Sequence, residues 1–295
     1  MSLHPREVAL NLLAGSVPLR DALRKVRNAR RPPRDDAKVA REALGRLQVR
    51  REFIGDSRIE GATLLEIGSG REFSLALLLL ALGARRVINV EIDPFGFIDD
   101  ASYYRVLVAA AREEGLPIDW PPAGLIEEPG GSRVRPNPAR IALHIGRSAA
   151  TIPEPDGSVD VTFSVAVLEH VSADAMPFVA SELCRLTRPG GVGYHRVDLA
   201  DHYSRRTEPF RMLQYSPREY RWMYGRRGSS SNRLRMDDIV SIYRSAGFSK
   251  VGVEDVRRFA DVERFDCWVS RFHPDFRDGD RDMLRTLEFM LVLER

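Results

Sequence analysis

Leu64-Leu65-Glu66-Ile67-Gly68-Ser69-Gly70, the apolar stretch Ser74–Leu82, and then Arg86-Val87-Ile88-Asn89-Val90-Glu91 read as strand, turn, helix and strand. Gly68 and Gly70 permit the tight turn and close backbone approach that a strand-to-helix junction needs against a nucleoside. Glu91 stands 21 residues after Gly70 at the end of the next strand, where an acid accepts hydrogen bonds from ribose hydroxyls. Position 73 is Phe, where a dinucleotide fold carries its third glycine. An adenosine cofactor without a pyrophosphate therefore fits better than a dinucleotide, the plainer alternative being an ordinary sheet turn and a solvated acid.

Strands are predicted over Thr63–Ile67, Arg86–Ile92, Arg140–Ile145, Asp160–Val165, Gly191–Val197, Lys250–Asp255 and Glu288–Glu294, with helices between most of them. This alternation predicts an α/β fold: a mostly parallel, Rossmann-like sheet of seven strands with right-handed crossovers, the last strand inserting antiparallel beside the sixth. Ligands then bind beyond the carboxyl ends of the strands. The stretch Gly115–Pro138 enters a strand and is expected on the opposite edge; Arg196–Arg235 leaves a strand and is expected over the site. Residues 1–58 read as a separate helical N-terminal arm or cap, with Val39, Ala43 and Leu47 on one face and Pro32-Pro33 as a break. Residues 59–295 form the main domain, with a lid-like insertion at about 203–235.

The chain has 295 residues, 45 basic and 42 acidic, for a net charge of +3, and only Lys25, Lys38 and Lys250 are lysines. That total gives no charge argument for a nucleic-acid binder, although residues 20–51 carry +8 and residues 205–235 carry +7 on an acidic remainder. Two cysteines, Cys184 and Cys267, are too few for a disulfide framework and lack metal-ligand spacing. No metal site is expected. The longest apolar run, Leu75–Leu82, is far short of the ~20 residues a membrane span needs, so a soluble, cytoplasmic protein is expected; the oligomeric state is not legible.

From Glu66-Ile67-Gly68-Ser69-Gly70 outward, the residues resemble the class I S-adenosylmethionine-dependent methyltransferases. Ile152-Pro153-Glu154-Pro155-Asp156-Gly157-Ser158-Val159-Asp160-Val161 with Val167-Leu168-Glu169-His170-Val171 is similar to the fourth strand and flanks of the branch called type 11, and Leu186-Thr187-Arg188-Pro189-Gly190-Gly191 to the turn into its fifth. The resemblance covers roughly residues 61–200. It implies S-adenosylmethionine held by Glu66, Gly68, Ser69, Gly70, Glu91, Ile92, Ser148, Ala149, Ala166 and Leu168. The chain departs from the family at Arg147-Ser148, where an acid often meets the adenine amino group, and backbone groups near Ser148 or Ala149 take that place. His195-Arg196-Val197-Asp198-Leu199-Ala200-Asp201-His202, Leu213-Gln214-Tyr215-Ser216, Trp222 and Asn232-Arg233-Leu234-Arg235 are similar to methyltransferases encoded with bacterial surface-polysaccharide genes, which implies a sugar-like acceptor.

His195, Asp198 and His202 fall at the end of the fifth strand and just beyond it, where an acceptor would sit. They read either as the group that removes a hydroxyl proton or as hydrogen-bond anchors of the lid. His170, Tyr215, Trp222 and Arg233 are candidate acceptor contacts, because aromatic faces beside arginines suit a sugar ring bearing acidic groups. Asp160 reads as a structural hydrogen-bond former. Two alternatives stay open: a nucleic-acid methyltransferase using the basic arm, and a non-catalytic module that keeps the fold.

Overall fold

The computed structural model describes residues 5–15, 35–70, 73–93, 98–226 and 230–295. The strands are β1 Thr63–Ile67, β2 Arg86–Glu91, β3 Leu125–Glu127, β4 Val134–Pro136, β5 Ile141–Ile145, β6 Val159–Val165, β7 Thr187–Asp198, β8 Lys250–Arg258 and β9 Thr286–Glu294. The helices that matter here are α1 Pro5–Gly15, α2 Asp36–Ile54, α3 Asp56–Ile59, α4 Ser74–Ala81, α5 Ala101–Glu113, α6 Met176–Leu186, α7 Pro217–Tyr224, α8 Met236–Ser245 and α9 Val262–Val269. Seven strands form one sheet in the order β5-β2-β1-β6-β7-β9-β8. The first five run parallel; β9 lies antiparallel between β7 and β8. This is the expected mostly parallel, Rossmann-like sheet, with the last strand wedged between the fifth and sixth of the sheet.

The central strands are apolar on both faces because helices cover both. Leu64, Val87, Val161 and Phe163 pack with α2, α4 and α5, while Leu65, Ile67, Val90 and Val197 pack with α6 and α8. Chain direction across the sheet reverses between β1 and β6, so their carboxyl ends open a crevice at the switch point. The turn after β1 and the turn after β6 meet there.

Within the expected arm of residues 1–58, the described helix α2 packs into the main core. In α2 the buried residues are Ala40, Ala43, Leu47, Arg50 and Ile54, a three-four spacing that puts one face onto α4 and α5 within the main core. Small Ala40 and Ala43 allow that close approach; the arginines on the remaining faces are what gave the sequence its detached look. Asp35 caps the helix by accepting the Lys38 N–H at 2.9 Å, and Gly55 at φ 84° ends it. Pro32-Pro33 and most of the first basic island lie outside the described residues. Leu47→Ala should therefore cost about 2–5 kcal/mol of unfolding free energy in urea titrations, the range for truncating a packed core leucine. A loss below about 0.5 kcal/mol, as on a surface, would mean that α2 is detachable.

α1 docks instead on α7 of the insertion. Asn11, itself buried, donates from Nδ2 to the carbonyls of Arg221 (3.2 Å) and Trp222 (2.8 Å) and accepts the Arg226 N–H at 2.7 Å, which satisfies groups orphaned at the end of α7.

The stretch Gly115–Pro138 departs from expectation in part. Its two ends lie at the amino edge, where the Asn137 N–H meets the Gly124 carbonyl, but between them β3 and β4 form an antiparallel pair running back along α5. Its tip reaches the start of α5, with Arg133 3.0 Å from Asp99 and the Ala101 N–H on the Ser132 carbonyl. Hydrogen bonding between two short strands gave this return path, which a loop-like composition of Pro and Gly concealed.

Candidate active site

The turn after β1 has the predicted form. Gly68 and Gly70 both sit in the left-handed region, at φ 74° and 72°. A Cβ at Gly68 would lie 2.4 Å from Val167 Cγ2, so only glycine lets the turn after β6 close against it. At Gly70 a Cβ would meet nothing within 4 Å. Ser69 between them is half-buried, and its hydroxyl has no hydrogen-bond partner among the described residues.

Glu91 closes on this turn from the end of β2. One carboxylate oxygen accepts the Gly70 N–H at 2.9 Å and the other the Asp93 N–H at 3.0 Å. Ile92, the next residue, is 70% exposed, which leaves a bare apolar side chain at the crevice edge. Arg147 donates its N–H to the Glu91 carbonyl at 3.1 Å, which ties in the turn after β5 carrying exposed Ser148 and half-buried Ala149. Beneath the turn, Glu66 is buried, accepts from Asn89 Nδ2 at 3.1 Å and lies 3.7 Å from Arg50 of α2. Burial pushes its carboxyl up to about 7, against the pull of Arg50, Arg46 and Asn89.

The end of β6 carries a non-glycine residue in the left-handed region, Ala166 at φ 55°. Leu168 points its side chain into the core, and its carbonyl accepts from Asn232 Nδ2 at 2.9 Å.

Beyond β6 and β7, the structure brings together Glu169, His170, Asp198 and His202. His202 Nε2 is 3.3 Å from Asp198 Oδ2, the His170 and His202 rings meet edge to face at 5.0 Å, and Arg205 Nη1 lies 2.5 Å from the same Asp198 oxygen. Burial alone would raise the Asp198 carboxyl; His202, the Ala200 N–H and Arg205 together hold it below the usual range. His170 donates from Nδ1 to the Ser230 carbonyl at 3.1 Å, and burial lowers its pKa. Glu169 is 0% exposed, and neither carboxylate oxygen closes a hydrogen bond among the described residues. Burial pushes that carboxyl up to about 8, with the Asp198 charge acting the same way and the nearby amides of Glu169 and Asp198 and the Arg205 charge pulling against it.

His195 does not join them. Successive side chains of a strand face opposite sides, and His195 faces the α8 layer. There its Nδ1 bonds the Ser164 hydroxyl at 2.8 Å, its Nε2 lies 3.3 Å from Thr162 Oγ1, and its ring packs on Tyr243. A fully buried imidazole with both nitrogens occupied is structural, so the expectation of His195 as a base is corrected. Burial drives its pKa down to about 3. The unfolded chain takes up that proton near pH 6.5, so stability is full above this pH and is lost as pH falls towards 3, at about 1.4 kcal/mol per unit. Urea titrations at pH 7.5, 6 and 5 should show wild-type stability falling more steeply than that of His195→Gln; parallel slopes would contradict the assignment.

The predicted acceptor contacts divide. Tyr215 is buried, with its hydroxyl accepting from Arg211 Nε at 3.0 Å. Arg233 stacks on Tyr220 at 4.6 Å and donates to the Tyr215 carbonyl at 2.7 Å. Arg235 is buried and donates to the carbonyls of Leu199, Leu284 and Thr286. These residues build the covering layer and are not free to bind an acidic acceptor. Trp222 stays 48% exposed on α7. Arg205, hidden in an arginine-rich run, was not singled out from sequence; its place seven residues after Asp198 carries no periodic signal across a loop. Asp160 is structural as expected, accepting the Thr63 N–H at 2.7 Å and pairing with Arg188. A cavity of about 340 Å³ lined by Ser57, Arg58, Glu60, Asp160 and Arg188 opens at the amino edge, away from the crevice.

Among the described residues no helix is long and apolar enough to cross a membrane. No curated protein matches the chain. Among solved structures it is similar to an S-adenosylmethionine-dependent methyltransferase from Mesorhizobium loti, at 14% identity over 84% of this chain and 100% of that one, with a TM-score of 0.44. A second, from Methanosarcina mazei, shows 16% identity over 80% and 93% of the two chains, again with a TM-score of 0.44. Residues 132–194, from the β3–β4 tip into β7, match the family described as a methyltransferase domain, and this match supports S-adenosylmethionine as the cofactor.

Proposed function

We propose that the protein is an S-adenosylmethionine-dependent methyltransferase that methylates an oxygen of a small or sugar-like acceptor. The observation that carries the cofactor half is the Gly68-Ser69-Gly70 turn clasped by Glu91 at the switch point of the sheet. The residues there fit the group: Glu91 would accept from ribose hydroxyls, Ile92 offers an apolar face to the adenine, and backbone near Ser148 and Ala149 would meet its amino edge. The unpartnered Ser69 hydroxyl and the open backbone of Gly68 suit the methionine part. When bound, the cofactor supplies a methyl group on a sulfonium sulfur that departs as a neutral thioether.

The chain's own work is then to align an acceptor oxygen with that methyl, accept its proton and exclude water. Asp198, His202 and His170 border the space beyond the turns after β6 and β7, and proton removal is assigned to this cluster, with Arg205 holding Asp198 in place. The covering layer of residues 199–226 and 230–235, clamped by Asn11 and Arg235, would shield the reaction. The residues of the narrower polysaccharide-type pattern, notably Asn232, Arg233 and Arg235, serve to build that layer, so a sugar-like acceptor rests on the sequence resemblance and on the His170, Asp198 and His202 cluster, whose groups suit a hydroxyl.

The test is transfer of a labelled methyl group to a panel of sugars, phenols, amines and short nucleic acids. A product carrying a new O-methyl group supports the reading; label appearing only on nitrogen or nucleic acid overturns it.

A further inference from the structure

We propose that Glu169, His170 and His202 form a binding site for one divalent transition-type metal ion, such as Mn²⁺, Zn²⁺ or Co²⁺, at the acceptor end of the crevice. Three observations carry it. First, a carboxylate oxygen of Glu169 and one ring nitrogen each of His170 and His202 all lie within 4.8 Å of one another. Ligands around 2.0–2.2 Å from an ion sit roughly 3–4 Å apart, so small side-chain rotations close the set. Second, Glu169 is fully buried, and its carboxylate has only the amides of Glu169 itself and of Asp198 beside it, neither of which closes a full hydrogen bond, although a buried acid needs one. An ion between it and the two imidazoles supplies that partner.

Third, the surroundings already orient the imidazoles. The His170 Nδ1–H donates to the Ser230 carbonyl at 3.1 Å, which fixes the tautomer that leaves Nε2 with a free lone pair. Asp198 lies 3.3 Å from His202 Nε2 and is itself held by Arg205, placing a carboxylate where it orients the histidine or completes the shell. Two imidazoles and one carboxylate favour a transition-type ion over Ca²⁺ or Mg²⁺, which take oxygen sets. His170 and His202 are only half-buried, so the ion would keep positions open to the crevice.

For its chemical role this inference rests on the reading above: an acceptor hydroxyl oxygen on the ion would lose its proton more readily, and with His170 and His202 as ligands that proton would pass to the Asp198 carboxylate. The ion site itself stands on the geometry alone. The experiment therefore reads metal binding without cofactor or acceptor. Full-length protein stripped with a chelator is titrated with MnCl₂, followed by Mn²⁺ electron paramagnetic resonance, and with CoCl₂, followed by visible absorption and melting temperature.

One saturable ion per chain and a raised melting temperature are expected, with affinity at least tenfold weaker in both His202→Ala and Glu169→Gln and unchanged in the control His273→Ala, whose imidazole lies 3.2 Å from Asp275 and is not in the cluster. No saturable binding by the folded wild type, or binding equally strong in all three variants, would overturn the site. Circular dichroism identifies a variant that fails to fold; the half-exposed His202→Ala then decides alone. Metal binding without methyl transfer would leave the site standing and remove the role; transfer unaffected by stripping would also remove the role.

Discussion

Gly68→Val should lower affinity for S-adenosylmethionine by at least about 100-fold, roughly 3 kcal/mol, and with it abolish methyl transfer. A side chain at φ 74° costs about 1–2 kcal/mol in backbone strain. Its Cβ would also stand 2.4 Å from Val167 Cγ2, so the turn after β6 must move away from the turn after β1. The crevice between those two turns is where the cofactor is proposed to lie. Gly70→Ala, with the same sign of φ but nothing within 4 Å of its Cβ, should show only the backbone cost. Calorimetric titration of both variants separates the effects, and equal losses would mean that the contact with Val167 does not shape the site.

Glu91→Ala should weaken cofactor binding by the value of one or two charge-assisted hydrogen bonds, about 1.5–3 kcal/mol each. Without ligand the same carboxylate holds the Gly70 and Asp93 amides at 2.9 and 3.0 Å. The substitution therefore also frees the turn, and Glu91→Gln, which keeps an acceptor oxygen, should recover part of the affinity. Unchanged affinity in Glu91→Ala would move the ribose site elsewhere.

The sheet was legible because its strands announce themselves through continuous apolar runs bounded by turns. All seven sheet strands stand within a few residues of their predicted spans, and β7 differs most because residues 187–191 join it through a register irregularity that Pro189 and Gly190 disguise as a turn. The Gly68, Gly70 and Glu91 constellation was legible because each residue acts through the backbone or at a strand end, where chain spacing fixes position. The acceptor side was less so. Strand alternation sets His195 on one face and Asp198 on the other, but which face the core claims depends on the α8 layer, notably Tyr243. Whether an arginine binds ligand or carbonyl, as for Arg235, likewise depends on partners 36 to 51 residues away that no local pattern reveals. Glu169 was quoted only within the Val167–Val171 resemblance; its burial beside Asp198 is visible only once β6 and β7 lie side by side.

The most direct test of the cofactor crevice is a calorimetric titration of S-adenosylhomocysteine into the full-length protein and into Gly68→Val. Saturable binding of one molecule per chain by the wild type, lost in the variant, is the predicted result; a folded wild-type protein that gives no saturable binding would contradict it.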